Sequence, residues 1–338
     1  MLNIISRSII SKNIRGPRKV VSNLIRGLEN LEYPFVINAA LEATETVWIH
    51  DDPIALNEAM KLPSHIAIVA GPNIYTLPSD IPETIDTSRI VWIHPSSWVK
   101  NFWDKFGTKK ITSEIWPVGI DTAKFTPQGN KKREIILIYN KQRSDTEIET
   151  VCRALDLHKE KYEVITYGKY QEAEYQNLLE KTKAIIWVGR SESQGIALLE
   201  ALATNVPALI WDINNFGHWT GSGHEYFTNE QLFFSEATTA PYFSSQCGIR
   251  FSNKNELNPT LSKFLDELHN FQPRRYIEEN FSLTKQARSF LCIYKKHFNV
   301  DDSSLKNSII TTKKIWRNDT KLFHILMIFK DAIRRIIR

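Results

Sequence analysis

Two carboxylates separated by seven residues, Glu192 and Glu200, flank Gly195 in the segment SESQGIALLEALATNVPALIWD, residues 191–212. The segment reads as a strand end, a glycine turn, a helix and a second strand. Glu192 then lies in the loop, and Glu200 about one and a half turns into the helix at ~3.6 residues per turn. A helix N-terminus offers unpaired N–H groups and a partial positive charge, which suits a phosphate, and glycine lets a ligand approach the backbone. Glu192 can accept hydrogen bonds from hydroxyls on one side of that phosphate and Glu200 from hydroxyls on the other. A sugar on one side and a ribose on the other meet this pattern. An exposed helix also carries glutamates that are merely solvated, so the neighbouring elements must decide.

Those elements alternate. Residues 1–10 read as a buried strand, followed by a turn at 13–17 and a helix with Pro17 at its first position and Val20, Leu24, Leu28 and Leu31 on one face. Short strands follow at 35–38, 46–50, 65–70 and 89–94, with helices at 53–60 and 96–106. Such alternation predicts a parallel sheet covered on both faces, with ligands beyond the C-terminal strand ends. One rim then carries His50 and Asp51, Gly71 and Asn73, and His94. His50 is a candidate partner for an acceptor hydroxyl, with Asp51 orienting it or binding acceptor itself. Residues 115–127, punctuated by Pro and Gly, suit a rigid hinge. A polar linker at 128–133 leads to a strand at 134–139, the basic turn Lys141–Arg143, a strand at 162–167 ending at Gly168, a helix at 172–181, and a strand at 184–188 that feeds the glutamate segment. Residues 214–245 are polar and aromatic; their aromatics either cover a ligand or pack as loop core. A strand at 247–251 and helices at 259–269 and 283–298 finish the pattern. The expected fold is α/β, two Rossmann-like lobes facing across a cleft: an acceptor lobe at 1–127, a donor lobe at 128–300, and a linker with a basic amphipathic helical tail at 301–338.

The segment from Glu192 through Gly195 and Glu200 to Pro207 resembles the donor-binding signature of GT-B-fold glycosyltransferases, especially the large retaining nucleotide-sugar family. Residues 115–127, IWPVGIDTAKFTP, are similar to a second motif of that family, with Pro117, Gly119, Asp121, Phe125 and Pro127 in step and Val118 in place of an Asn. Two motifs in the expected order make coincidence a poor explanation. The resemblance implies transfer of a hexosyl-type sugar from a nucleotide sugar to an acceptor hydroxyl, with retention, in glycan, polysaccharide or glycolipid synthesis. Glu192 would bind the sugar hydroxyls, Glu200 the ribose, the turn at Gly195 and Ile196 a phosphate, and Lys141 with Arg143 the departing diphosphate. The nucleotide base would lie near Gly168. The chain departs from the family in three places. Where the family has two adjacent glycines, in a loop near the donor diphosphate and the acceptor, it has Gly16 among Arg15, Arg18 and Lys19, a basic loop that either meets phosphate or is a solvated turn, and it has Gly71 where many relatives carry a histidine. Its second lobe also lacks one strand–helix unit.

Composition narrows the function classes. A chain of 338 residues, 42% hydrophobic and 24% charged, is of ordinary globular make-up. Cys152, Cys247 and Cys292 form no metal-binding or disulfide spacing. No Asp-x-Asp occurs, so no metal-holding carboxylate pair of that type is available; neither metal nor bound cofactor is expected, the nucleotide sugar being a co-substrate. The net charge of +5 resides in the tail: residues 311–338 carry eight basic and two acidic side chains, leaving the body close to neutral. That removes the case for a nucleic-acid partner. The N-terminus lacks a cleavage-site pattern, and no apolar run approaches the ~18 residues of a membrane span. In the tail, Leu322, Leu326, Phe329, Ile333 and Ile336 form one stripe opposite a cationic face, which suits an anionic membrane surface or a protein partner. The expected setting is cytoplasmic, peripheral at the inner membrane face, with a glycan or lipid-linked acceptor. Two other readings stay open, a nucleotide-sugar epimerase or hydrolase on the same fold, and a decayed binding module.

Overall fold

The structure, a computed structural model, describes residues 1–10, 16–127 and 132–298; the tail beyond 298 and most of the linker lie outside them. The first lobe is a six-stranded parallel sheet in the order β2-β1-β3-β4-β5-β6, with β1 Leu2–Ile5, β2 Phe35–Ile37, β3 Thr46–Ile49, β4 Ala67–Ala70, β5 Ile90–His94 and β6 Thr112–Ile115. Helices α1 (Gly16–Asn30), α2 (Pro53–Ala59) and α3 (Ser97–Phe106) cover it. β1, β3, β4 and β5 are buried along their whole length, as strands covered on both faces must be. β1 stops at Ile5 and does not run to residue 10. Asp51 accepts hydrogen bonds from the Ser6 hydroxyl at 2.9 Å and from the backbone N–H groups of Arg7 at 2.8 Å and Ser8 at 3.0 Å, which turns the chain there. The edge strand β6 reads TSEI and is partly exposed, so it carries no apolar run by which sequence could reveal it.

The second lobe is a five-stranded parallel sheet in the order β11-β10-β9-β7-β8, with β7 Ile135–Lys141, β8 Tyr162–Thr166, β9 Thr182–Gly189, β10 Ala208–Trp211 and β11 Gly248–Phe251. Helices α4 (Asp145–Leu157), α5 (Glu172–Lys181), α6 (Ile196–Ala203), the short α7 (Asn229–Leu232), α8 (Leu257–Asp266) and α9 (Pro273–Phe281) complete it. Only α5 intervenes between β8 and β9, which leaves β8 at the sheet edge. The sequence reading did not place α4, although Ser144 and Glu147 form a reciprocal capping box at its start.

Two segments cross between lobes. α10 (Leu283–Phe298) follows the second lobe in sequence, yet Ala287, Phe290, Ile293 and Tyr294 join a core built from β1, β3 and α1. A boundary at residue 300 therefore divides the sequence and not the packing. Gly27 permits this crossing, because a Cβ there would lie 2.6 Å from the Leu283 carbonyl oxygen. In the long aromatic segment, Phe216 and Phe234 pack on Phe102 of α3 at ring distances of 5.1 and 5.3 Å. These aromatics serve as core between the lobes.

Candidate functional site

β9 ends at Gly189, and the chain then loops to α6. Gly195 stands before α6 at φ +77°, in the left-handed region, and a Cβ there would meet nothing closer than 3.8 Å; backbone conformation, not space, selects glycine. No side chain caps α6, so its first N–H groups have no side-chain partner. Ile196 packs against the cores of both lobes.

Each glutamate of the pair is held by a lysine. Glu192 Oε1 lies 2.6 Å from Lys141 Nζ at the end of β7, and that ammonium sits 4.3 Å from the centre of the half-exposed Tyr167 ring, beside Gly168. Gly168 is exposed at φ +82°, with open space around it. Glu200, 2% exposed, receives Lys19 Nζ on both oxygens, at 2.6 and 2.8 Å, and Lys19 belongs to α1 of the opposite lobe. Glu172 adds a carboxylate 3.3 Å from Lys19 and pairs in turn with Lys124. Burial pushes the Glu200 carboxyl up, the Lys19 charge drawing it partly back. Burial alone would lower Lys19, but Glu200 and Glu172 outweigh it and raise the ammonium above its ordinary value. Tyr170, hydrogen-bonded to Tyr139 at 2.8 Å, is pushed up to about 12 by burial, with the charges of Glu200 and Glu192 adding to the rise.

Arg143 is not part of this group. Its residue is 2% exposed, and its guanidinium donates to the carbonyls of Gly189 and Trp211, each at 3.1 Å, and to Glu147. It pins the ends of β9 and β10, so the diphosphate role expected of it has no available guanidinium. The first lobe's rim turns inward, although His50 Nδ1 and the Ser96 hydroxyl are buried there without a hydrogen-bond partner. His50 is fully buried, with Nε2 3.1 Å from the Pro17 carbonyl and 3.4 Å from Asn73 Nδ2. Burial lowers it to about 4, the nearby Asp51 charge opposing only in part. Asp51 is committed to the Ser6–Ser8 turn and does not hydrogen-bond to His50. His94, 2% exposed, is also lowered to about 4 by burial and packs beside Trp103. Gly71 is buried, its carbonyl accepting from Trp48 Nε1 at 2.8 Å. Asn73 is exposed, and so is Gly16 at the start of α1. The structure thus brings together Lys141, Gly168, Glu192, Gly195, Ile196 and Glu200, and leaves His50 with Asn73 as a neighbouring pair on the first lobe.

Other residues hold the glutamate loop in place. Trp98 Nε1 donates to the Glu192 carbonyl at 2.9 Å, and Gln194 exchanges two hydrogen bonds with the Val118 backbone at 3.0 and 2.8 Å. Asp212 orders Thr238 and Thr239, and the Thr238 carbonyl accepts from the Glu192 N–H at 2.9 Å.

No protein-family model matches the chain, and no curated protein matches it in sequence. Solved structures do match in shape. A sucrose-phosphate synthase from Thermosynechococcus elongatus superimposes with a TM-score of 0.56 at 12% identity, over 89% of this chain and 99% of that one. An apo lipopolysaccharide outer core galactosyltransferase gives 0.53 at 14%, over 87% and 99%. The catalytic domain of starch synthase IV from Arabidopsis thaliana, bound to ADP and acarbose, gives 0.53 at 9%, over 88% and 99%. The chain has the GT-B fold. Likeness at such identity carries the fold and not a substrate. Within the GT-B frame, the residues that sequence reasoning under-used are Lys19, Tyr170 and Gln194. Lys19 had a signal, a basic side chain one turn into the helix after a basic loop; a partly buried tyrosine and a buried glutamine had none. A separate cavity of ≈ 880 Å³, lined by Glu147, Trp211, His218 and Arg250 among others, opens beyond β10 and β11 and includes none of the expected site residues.

Proposed function

We propose that this GT-B protein transfers a sugar from a nucleotide-sugar donor to an acceptor hydroxyl, without divalent metal and with retention. One observation carries the reading: two glutamates on either side of an uncapped helix start, each neutralised by a lysine. A nucleotide sugar has hydroxyls at both ends and a dianion between them, so it can supply donors to both carboxylates while its phosphates take over the lysines. Glu192 then holds the sugar, Glu200 the ribose, the Gly195–Ile196 turn a phosphate and Lys141 the departing diphosphate. Tyr167 and Gly168 offer an open ledge for the base. The acceptor approaches from the side of His50 and Asn73. An imidazole titrating near 4 is a weak base at neutral pH, which fits a reaction in which the leaving phosphate itself receives the acceptor proton.

The acceptor is a glycan or a lipid-linked glycan, and the basic tail draws the protein to an anionic inner membrane face. Calorimetry with a panel of nucleotide sugars tests the donor: one should bind, with Glu200→Ala weakening it tenfold or more, and binding of none would remove the proposal. Release of nucleoside diphosphate only when acceptor is present separates transfer from hydrolysis or epimerisation. Activity abolished by a chelator and restored by manganese would refute the metal-independent form. Equal binding to anionic vesicles with and without residues 302–338 would refute membrane contact.

A further inference from the structure

Resting on this donor reading, we infer that Lys19 of the first lobe is the second diphosphate ligand, in place of Arg143, and that it leaves Glu200 for the phosphates when ribose binds. Arg143 has no side-chain exposure and is spent on two carbonyls and Glu147. Among the described residues, the side-chain cations hydrogen-bonded to the two glutamates are Lys141 and Lys19. Lys19 occupies both Glu200 oxygens, the atoms a ribose diol would need. Diol and ammonium cannot share them, and a lysine displaced inside a cleft needs another anion; Glu172, 3.3 Å away, is already paired with Lys124, so the phosphates are the anion that remains. The start of α6 at Ile196 lies four residues from Glu200, about 6 Å along the helix, which the flexible four-carbon stem of a lysine can span by turning.

The rest of α1 is fixed. Pro17 is held by His50 at 3.1 Å, Asn23 donates to the Gly119 carbonyl at 2.8 Å, and Gly27 abuts α10. Only the side chain has to move. In the transfer step the bond between the anomeric carbon and the phosphate oxygen breaks, and its electron pair stays on that oxygen. The acceptor oxygen bonds to the anomeric carbon, and its proton passes to the departing phosphate. Lys141 from one lobe and Lys19 from the other face the charge that develops, so leaving-group departure depends on a closed cleft.

The test is calorimetry of UDP, ADP and GDP, and of uridine, adenosine and guanosine, with wild type, Lys19→Met and Lys19→Arg. For the base that wild type accepts, Lys19→Met should lose tenfold or more in diphosphate affinity, hold or gain nucleoside affinity because Glu200 is released, and Lys19→Arg should stay within about threefold of wild type. Should Lys19→Met fail to fold around an unpaired Glu200, Lys19→Met with Glu200→Gln is compared with Glu200→Gln alone, and the pair should bind the diphosphate at least tenfold more weakly. Diphosphate affinity indifferent to Lys19, or nucleoside affinity falling in parallel, overturns the inference while the donor reading stands. No nucleotide binding by wild type overturns both.

Discussion

The two rims that face each other hold their polar groups in different ways. On the first lobe, His50 and His94 are buried and neutral, and Asp51 is filled by the turn beside it. On the second, Glu192 and Glu200 are charges balanced by lysine ammonium groups. A buried neutral ring has no counter-ion for a ligand to displace, whereas an ion pair can be replaced by a ligand that brings both a donor and an anion. The second rim is built for exchange and the first for rigidity. The sharpest way to break this contrast is at Glu192. Glu192→Gln should lower turnover by about 10²- to 10³-fold, the scale of losing one positioned group at a developing charge, measured as acceptor-dependent release of nucleoside diphosphate. A loss below threefold would place the chemistry elsewhere.

Much of this arrangement was legible in the sequence because backbone geometry is written in local pattern. Apolar runs and the Gly195 turn located β9, α6 and β10, and Leu283–Phe298 was placed as a helix over its full extent. What was not legible depended on contacts between residues far apart. Arg143 looks like a phosphate ligand until the carbonyls of Gly189 and Trp211, 46 and 68 positions away, are brought to it. Lys19 looks like a solvated cation in the first turn of a helix until Glu200, 181 positions on, is brought to it. The packing of α10 on the first lobe is equally non-local, its faces reading the same whichever lobe they meet. A local pattern can specify a helix; it does not say what that helix will touch.

Arg143 sharpens the contrast in the other direction. Arg143→Met should destabilise the fold by about 3 kcal/mol, since it leaves two buried carbonyls without this donor and strips the guanidinium from Glu147, which keeps Ser144 and His218, read from the midpoint of chemical denaturation. A variant of unchanged stability but impaired diphosphate binding would restore the role first expected of Arg143.

The histidines give the pH dependence. Both are held neutral by burial at about 4, below the ~6.5 of an unfolded imidazole, so between those values the unfolded chain binds more protons than the folded one. Their contribution is complete above about 6.5, is lost as pH falls toward 4, and levels off below it. At ~1.36 kcal/mol per pH unit each, replacing His94 by Gln should remove roughly half of the slope that the pair contributes. Melting temperatures from pH 7 to 4 would show it, and an unchanged slope would mean that His94 is already charged in the native fold.

The smallest expected effect concerns how the rims are held together. The Tyr242 hydroxyl, in the second lobe, donates to the Pro95 carbonyl of the first at 2.6 Å, beside the bond from Trp98 to the Glu192 carbonyl. Tyr242→Phe removes one oxygen and little packing, so the cost is that of a single hydrogen bond with a buried acceptor left behind, about 1 kcal/mol. In a chain of this size that corresponds to a fall of roughly 2 °C in melting temperature. If the rims are joined by several such bonds, each replaceable, donor affinity should change less than threefold. A tenfold loss of donor affinity at unchanged melting temperature would instead mean that this one bond sets the closure on which Lys19 depends.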